Sequence, residues 1–108
     1  MTTFNDREKA NEFKFARDEE LTFKAAARRN KMLAQWAGEE MGYNSEESES
    51  FSAELVKFDL SEKGYEDVFQ MLTDKFSAAH VEMSEHRIRK AMEQKMEQAK
   101  QEIIDENL

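Results

Sequence analysis

Residues 64–79 read Gly64-Tyr-Glu-Asp-Val-Phe-Gln-Met-Leu-Thr-Asp-Lys-Phe-Ser-Ala-Ala79. Within them Tyr65, Val68, Phe69, Leu72, Phe76 and Ala79 recur at spacings of three and four, the signature of one apolar face on an α-helix. Glu66 and Asp67 fall in the first turn, where carboxylates complement the exposed N–H groups and the helix dipole. Nowhere in the chain does a period-two alternation last long enough to compete as a strand.

Working outward from this helix, the same logic yields three more. Upstream, Ser45 reads as an N-cap with Glu46 and Glu47 behind it. Phe51, Leu55 and Phe58 form that helix's stripe, with Val56 and Leu60 beside it, and Lys63 and Gly64 close it. Downstream, a turn around Val81–Met83 leads to Ser84, an N-cap followed by Glu85, and the stripe Ile88, Ala91, Met92, Met96, Ala99, Ile103. Earlier in the chain, Phe23, Ala26, Ala27, Leu33, Ala34, Ala37 and Met41 line a first helix, with Asn30 as a polar gap and Met32 and Trp36 flanking. Gly42 followed by apolar Tyr43 suits a left-handed C-terminal cap. Trp36 reads as core, since a large aromatic beside a stripe packs. Short connections make successive helices antiparallel, so the expected fold is all-α: a compact four-helix bundle spanning residues 21–108.

Composition narrows the function. The chain has 108 residues, enough for one domain with a modest core, and contains no proline, three glycines and no cysteine. Disulfides and thiolate metal sites are excluded, and with only His80 and His86 a nitrogen-ligated metal is not expected. A net charge of -8 disfavours nucleic-acid binding, which needs an excess of cations against phosphate. No apolar run reaches the ~20 residues of a membrane span, and the polar start is unlike a signal peptide, so a cytoplasmic address is expected. The charge is uneven: residues 21–42 carry four basic and two acidic side chains, residues 43–63 two basic and six acidic. Arg28, Arg29 and Lys31 therefore read either as a contact for a partner or phosphate, or as a basic face pairing with the acidic second helix. No Gly-rich loop cradles a phosphate and the paired carboxylates are ordinary for so acidic a chain, so neither catalysis nor a cofactor is expected.

The first twenty residues break the pattern. Phe4, Phe13 and Phe15 stand among Asp6, Arg7, Glu8, Lys9, Glu12 and Lys14. At ~100° per residue Phe4 and Phe15 share a face and Phe13 lies opposite, so no single face buries all three. Residues 1–20 are expected to be a mobile, partly helical segment, either a frayed terminus or an anchor for another protein's groove.

Specific residues then favour the anchor. The runs Met1-Thr-Thr-Phe4, Arg7-Glu8-Lys9-Ala10, Lys14-Phe15-Ala16 and Ala27-Arg28-Arg29-Asn30-Lys31, with Leu33 and Trp36-Ala37, resemble the zeta-subunit inhibitor family of α-proteobacterial F-type ATP synthases. Asp67-Val68-Phe69 and Ser84-Glu85-His86-Arg87-Ile88-Arg89 also resemble it. Gly38, where alanine is expected, and Glu85, where aspartate is common, depart from the pattern.

The resemblance implies a regulatory protein, a monomer when free. It would bind the catalytic head of the ATP synthase (the alpha, beta and gamma subunits) from the cytoplasmic side of the inner membrane and block ATP hydrolysis. Phe4, Phe13 and Phe15 would be its apolar anchors and Arg7, Glu8, Lys9, Glu12 and Lys14 its polar rim, with Arg28, Arg29 and Lys31 as a candidate secondary contact. The alternatives are a helical adaptor module, or a nucleotide-sensing domain acting through the bundle.

Overall fold

The structure is a computed structural model that describes residues 19–61 and 64–106. Four helices follow in order: α1 (Glu19–Met41), α2 (Ser45–Leu60), α3 (Tyr65–Ala78) and α4 (Glu85–Glu106). Among the described residues there is no strand, and no helix is long and apolar enough to cross a membrane. The fold is the all-α four-helix bundle that the spacing predicts. α1 is its spine, packed mainly against α2 and α4, while the short α3 fills the corner they leave.

The main core joins Leu33, Ala34 and Ala37 of α1, Phe51 and Leu55 of α2, Val68, Leu72 and Phe76 of α3, and Ile88, Ala91 and Met92 of α4. Each large side chain buried here contributes on the order of 1.5–3 kcal/mol against its exposed state. Trp36 is half-buried and meets Phe76 edge-to-face at 5.6 Å and 71°, as a core aromatic should. A separate cluster lies at the far end, where Leu21 and Ala25 of α1 meet Ile103 of α4 with Met96 beside them.

The caps explain the turns. Both α1 and α3 end in the paired 6→1 and 5→2 hydrogen bonds of a Schellman motif. At α1, Tyr43 N donates to the Gly38 carbonyl at 2.8 Å and Gly42 N to that of Glu39 at 3.2 Å, with Gly42 at φ 78°. At α3, Val81 N donates to the Phe76 carbonyl at 2.9 Å and His80 N to that of Ser77 at 3.0 Å. There the left-handed residue is His80, at φ 56°, a position where glycine is the usual choice.

Three expectations are corrected. The N-cap of α2 is Asn44 rather than Ser45: Asn44 Oδ1 accepts from Glu47 N at 2.8 Å while Glu47 Oε1 accepts from Asn44 N at 3.0 Å. That reciprocal capping box satisfies two otherwise orphaned donors, which Ser45 inside the first turn cannot do. α2 ends at Leu60 with Ser61 as its cap, before the Gly64 expected to close it, and Lys63 lies outside the described residues. In the first half of α1 the buried positions are Leu21, Ala25, Arg29 and Asn30, whereas Phe23 is 57% exposed. That half packs on α4 through a face rotated away from Phe23, and Asn30 is part of the interior rather than a gap in it.

Candidate partner-binding surface

Phe4, Arg7, Glu8, Lys9, Glu12, Phe13, Lys14 and Phe15 lie outside the described residues. They precede α1 in the chain, so the first half of that helix is the described part next to them. There α1 touches α4 through the small distal cluster and through Arg28. Arg28 Nη1 donates to Glu106 Oε1 at 2.7 Å and Nη2 to Glu106 Oε2 at 3.0 Å, a bidentate pair, with Glu102 Oε1 accepting at 3.3 Å. The guanidinium holds the Glu106 carboxyl below the usual carboxylate range, and Glu106 raises Arg28 in return.

Arg29 points the other way and is 7% exposed. Its Nε donates to Asn30 Oδ1 at 3.0 Å and its Nη2 to Asp59 Oδ2 at 3.3 Å, while Asn30 Nδ2 donates to the same Asp59 oxygen at 2.8 Å. Burial pulls the Arg29 pKa down, and Asp59 acts against that shift. Asn30, 0% exposed, is thus the bridge that makes a buried cation tolerable between α1 and α2. The sequence carried a signal for this network in its basic first and acidic second helix, but not which arginine would turn inward.

The three cations of the basic block therefore part company. Arg28 is spent on α4, Arg29 on α2, and Lys31 is exposed and forms no ion pair among the described residues. Lys31 borders an open groove of about 400 Å³ between α1 and the start of α2, lined also by Glu39, Glu49, Ser45 and Ser48. One lysine facing two carboxylates is a poor phosphate site, and the arrangement does not assemble the cation cluster that the nucleotide-sensing alternative needs.

Sequence reading also missed a close approach on this face. A Cβ built on Gly38 would stand 2.5 Å from Ser48 Oγ and 3.5 Å from Tyr43 Cβ. The glycine leaves room for the Ser48 hydroxyl of α2 against α1, and a Cβ there would require that hydroxyl to turn away.

Arg89 forms a further polar cluster, holding α3 to α4. Its guanidinium carbon lies 3.9 Å from the centroid of the Phe69 ring and 5.6 Å from that of Tyr65. It also pairs bidentately with Glu66 at 3.0 and 3.1 Å and contacts Glu85. These contacts push the Glu66 carboxyl down and Arg89 up, and they serve the fold.

The comparison with known families is specific. A family model described as ATPase inhibitor subunit zeta matches residues 1–102, nearly the whole chain and including the segment ahead of α1. No curated protein matches the sequence.

Proposed function

Because the chain belongs to the ATPase inhibitor subunit zeta family, we propose that it inhibits ATP hydrolysis by inserting its N-terminal segment, residues 1–20, into the catalytic head of the F-type ATP synthase. The observation that carries this reading is the extent of the family match, which runs through the N-terminal segment as well as the bundle. A structural terminus has no need of three phenylalanines that cannot share a face, whereas an anchor does.

The physics is that of differential binding. The interfaces of the head open and close as it turns, and a helix lodged in one of them lowers the free energy of the conformation that holds it. Phe4, Phe13 and Phe15 supply apolar anchors, and Arg7, Glu8, Lys9, Glu12 and Lys14 a polar rim that sets orientation and on-rate. Ordering the segment costs conformational entropy, and a bundle docked nearby offsets part of it by raising the local concentration. Of the candidate secondary contacts, only Lys31 is free to meet a partner without breaking the bundle's own ion pairs. The protein acts from the cytoplasmic side, as a regulator and not a catalyst.

Titration of ATP hydrolysis by the isolated head tests the reading. The full chain should inhibit, and deletion of Met1–Ala16 should abolish inhibition while leaving helical content and melting nearly unchanged. A truncated protein that still inhibits fully would refute the division of labour between segment and bundle.

A further inference from the structure

The apolar interior of the bundle is interrupted. The main cluster begins on α1 at Leu33, whereas the distal cluster uses Leu21 and Ala25. Ala25 and Leu33 stand about 12 Å apart along the helix. Between them α1 buries Arg29 and Asn30, polar side chains committed to Asp59 of α2. On α4 the stretch between Met92 and Ile103 buries only Ala99. A small cluster set apart in this way opens as a unit of its own, ahead of the main core.

Its fastening is ionic. α4 ends among Glu102, Asp105 and Glu106, and its last turn contains no basic residue. Negative charge at a helix C-terminus opposes the dipole, so this end disfavours itself. Arg28 of α1 supplies the missing cation from outside, to Glu106 at 2.7 and 3.0 Å and to Glu102, one turn back, at 3.3 Å. Gln98 Nε2 donates to the other Glu102 oxygen at 3.1 Å and holds that carboxylate in place. Lys24, one turn before Arg28, adds its field at Glu106.

Resting on the function proposed above, we propose that Arg28, Glu102 and Glu106 form a salt-sensitive clasp. It couples the end of α4 to the start of α1 and so sets how rigidly α1 presents the N-terminal segment to the catalytic head. Closed, it holds the first half of α1 on α4 and fixes the direction from which the segment starts, which keeps its local concentration at the target high. Open, it makes that starting direction variable. Both carboxylates are solvent-exposed, so added salt loosens the clasp without unfolding the main core.

Hydrogen exchange on the full chain and inhibitor titration of the isolated catalytic head test the clasp together. In Glu106→Gln the amides of Leu21–Arg28 should exchange about threefold faster, a factor in the range of an exposed ion pair. Those of Leu33, Leu55 and Leu72 should keep the parent's rates, and the melting temperature should stay near the parent's. Inhibition should weaken about two- to threefold. Raising salt from about 0.02 to 0.5 M should speed the same amides in the parent and barely in the variant. Arg28→Gln should open at least as far, and the double variant no further than Arg28→Gln alone, as expected of a shared interaction. The sign at α4 discriminates. If the dipole alone governed its end, Glu106→Gln would slow exchange at Ala99–Asp105, whereas loss of the clasp speeds it. Slower or unchanged exchange there, or equal acceleration in the main core, would overturn the inference. So would faster exchange at Leu21–Arg28 with inhibition unaltered. The two readings fail separately. A parent chain that does not inhibit brings down the proposed function, while local acceleration in Glu106→Gln would still establish the clasp.

Discussion

His80 and Gly42 perform the same task with different chemistry, and the comparison yields a prediction. Both end a helix in the left-handed region, where a Cβ crowds the following carbonyl. His80→Gly should stabilise the protein by about 0.5–1 kcal/mol, and Gly42→Ala should destabilise it by about 1 kcal/mol. Since a Cβ on Gly42 meets nothing within 4 Å, that loss is conformational and not steric. Denaturant melts of the two variants against the parent check both signs. Leu72 carries a different kind of weight. It is wholly buried in the main core, so Leu72→Ala should cost about 2–5 kcal/mol. Asp59→Ala should cost about 3 kcal/mol or more, because it strands Arg29 as a buried cation and leaves Asn30 half-satisfied. Equilibrium unfolding in urea measures each, and a loss under ~1 kcal/mol for Asp59→Ala would mean that water takes over the role of the carboxylate.

At the scale of elements, α4 is fastened at two places by carboxylates whose pKa values the fold lowers. Arg28 of α1 holds Glu106, and Arg89 of α4 holds Glu66 of α3. A carboxylate lowered in the folded state adds stability that is complete above its unfolded pKa of about 4.3 and is lost as pH falls through the lower folded value. Stability should therefore be flat from neutral pH to about 5 and then decline on acidification. Both carboxylates are solvent-exposed, so the decline is shallow and salt should reduce it. Thermal melts of the parent and of Glu66→Gln between pH 3 and 7 check this: the variant should lose part of the acid dependence and little else. The distal end of α1 and α4 is held by the small cluster of Leu21, Ala25, Ile103 and Met96 beside its ion pairs. Hydrogen exchange should accordingly find amides of Leu21–Arg28 and Ala99–Asp105 opening before those of the main core.

At the scale of the molecule, the function proposed above makes the bundle a holder and the N-terminal segment a tool. Replacing Phe4, Phe13 and Phe15 one at a time by Ser should weaken inhibition unequally, with at least one change costing about 2 kcal/mol in binding, near thirtyfold in affinity. Melting should barely move. Charge changes at Lys9 or Lys14 should act more weakly, as rim charges do. Inhibitor titrations paired with melts separate these outcomes, since variants that inhibit normally but melt early would assign the phenylalanines to the bundle.

Periodicity alone was enough for four helices, their order and most of their buried faces. Val68, Leu72 and Phe76, Phe51 and Leu55, and Ile88, Ala91, Met92, Ala99 and Ile103 are all apolar at helical spacing and all buried. Such local patterns are written residue by residue, and helices joined by short turns leave few ways to pack them. Asn44 with Glu47 three residues later carries the pattern of the capping box, but Ser45 with two glutamates behind it reads as the cap and hid it. What the sequence could not decide is where each helix stops covering its neighbour. Whether Phe23 is core or surface depends on which face of α1 meets α4, a relation between two helices rather than a property of either. Likewise Arg28, Arg29 and Lys31 are adjacent cations of equal standing in sequence. A rotation of 100° per residue sends the first to α4, the second to Asp59 and the third to solvent, and only the packed bundle shows which partner waits at each angle.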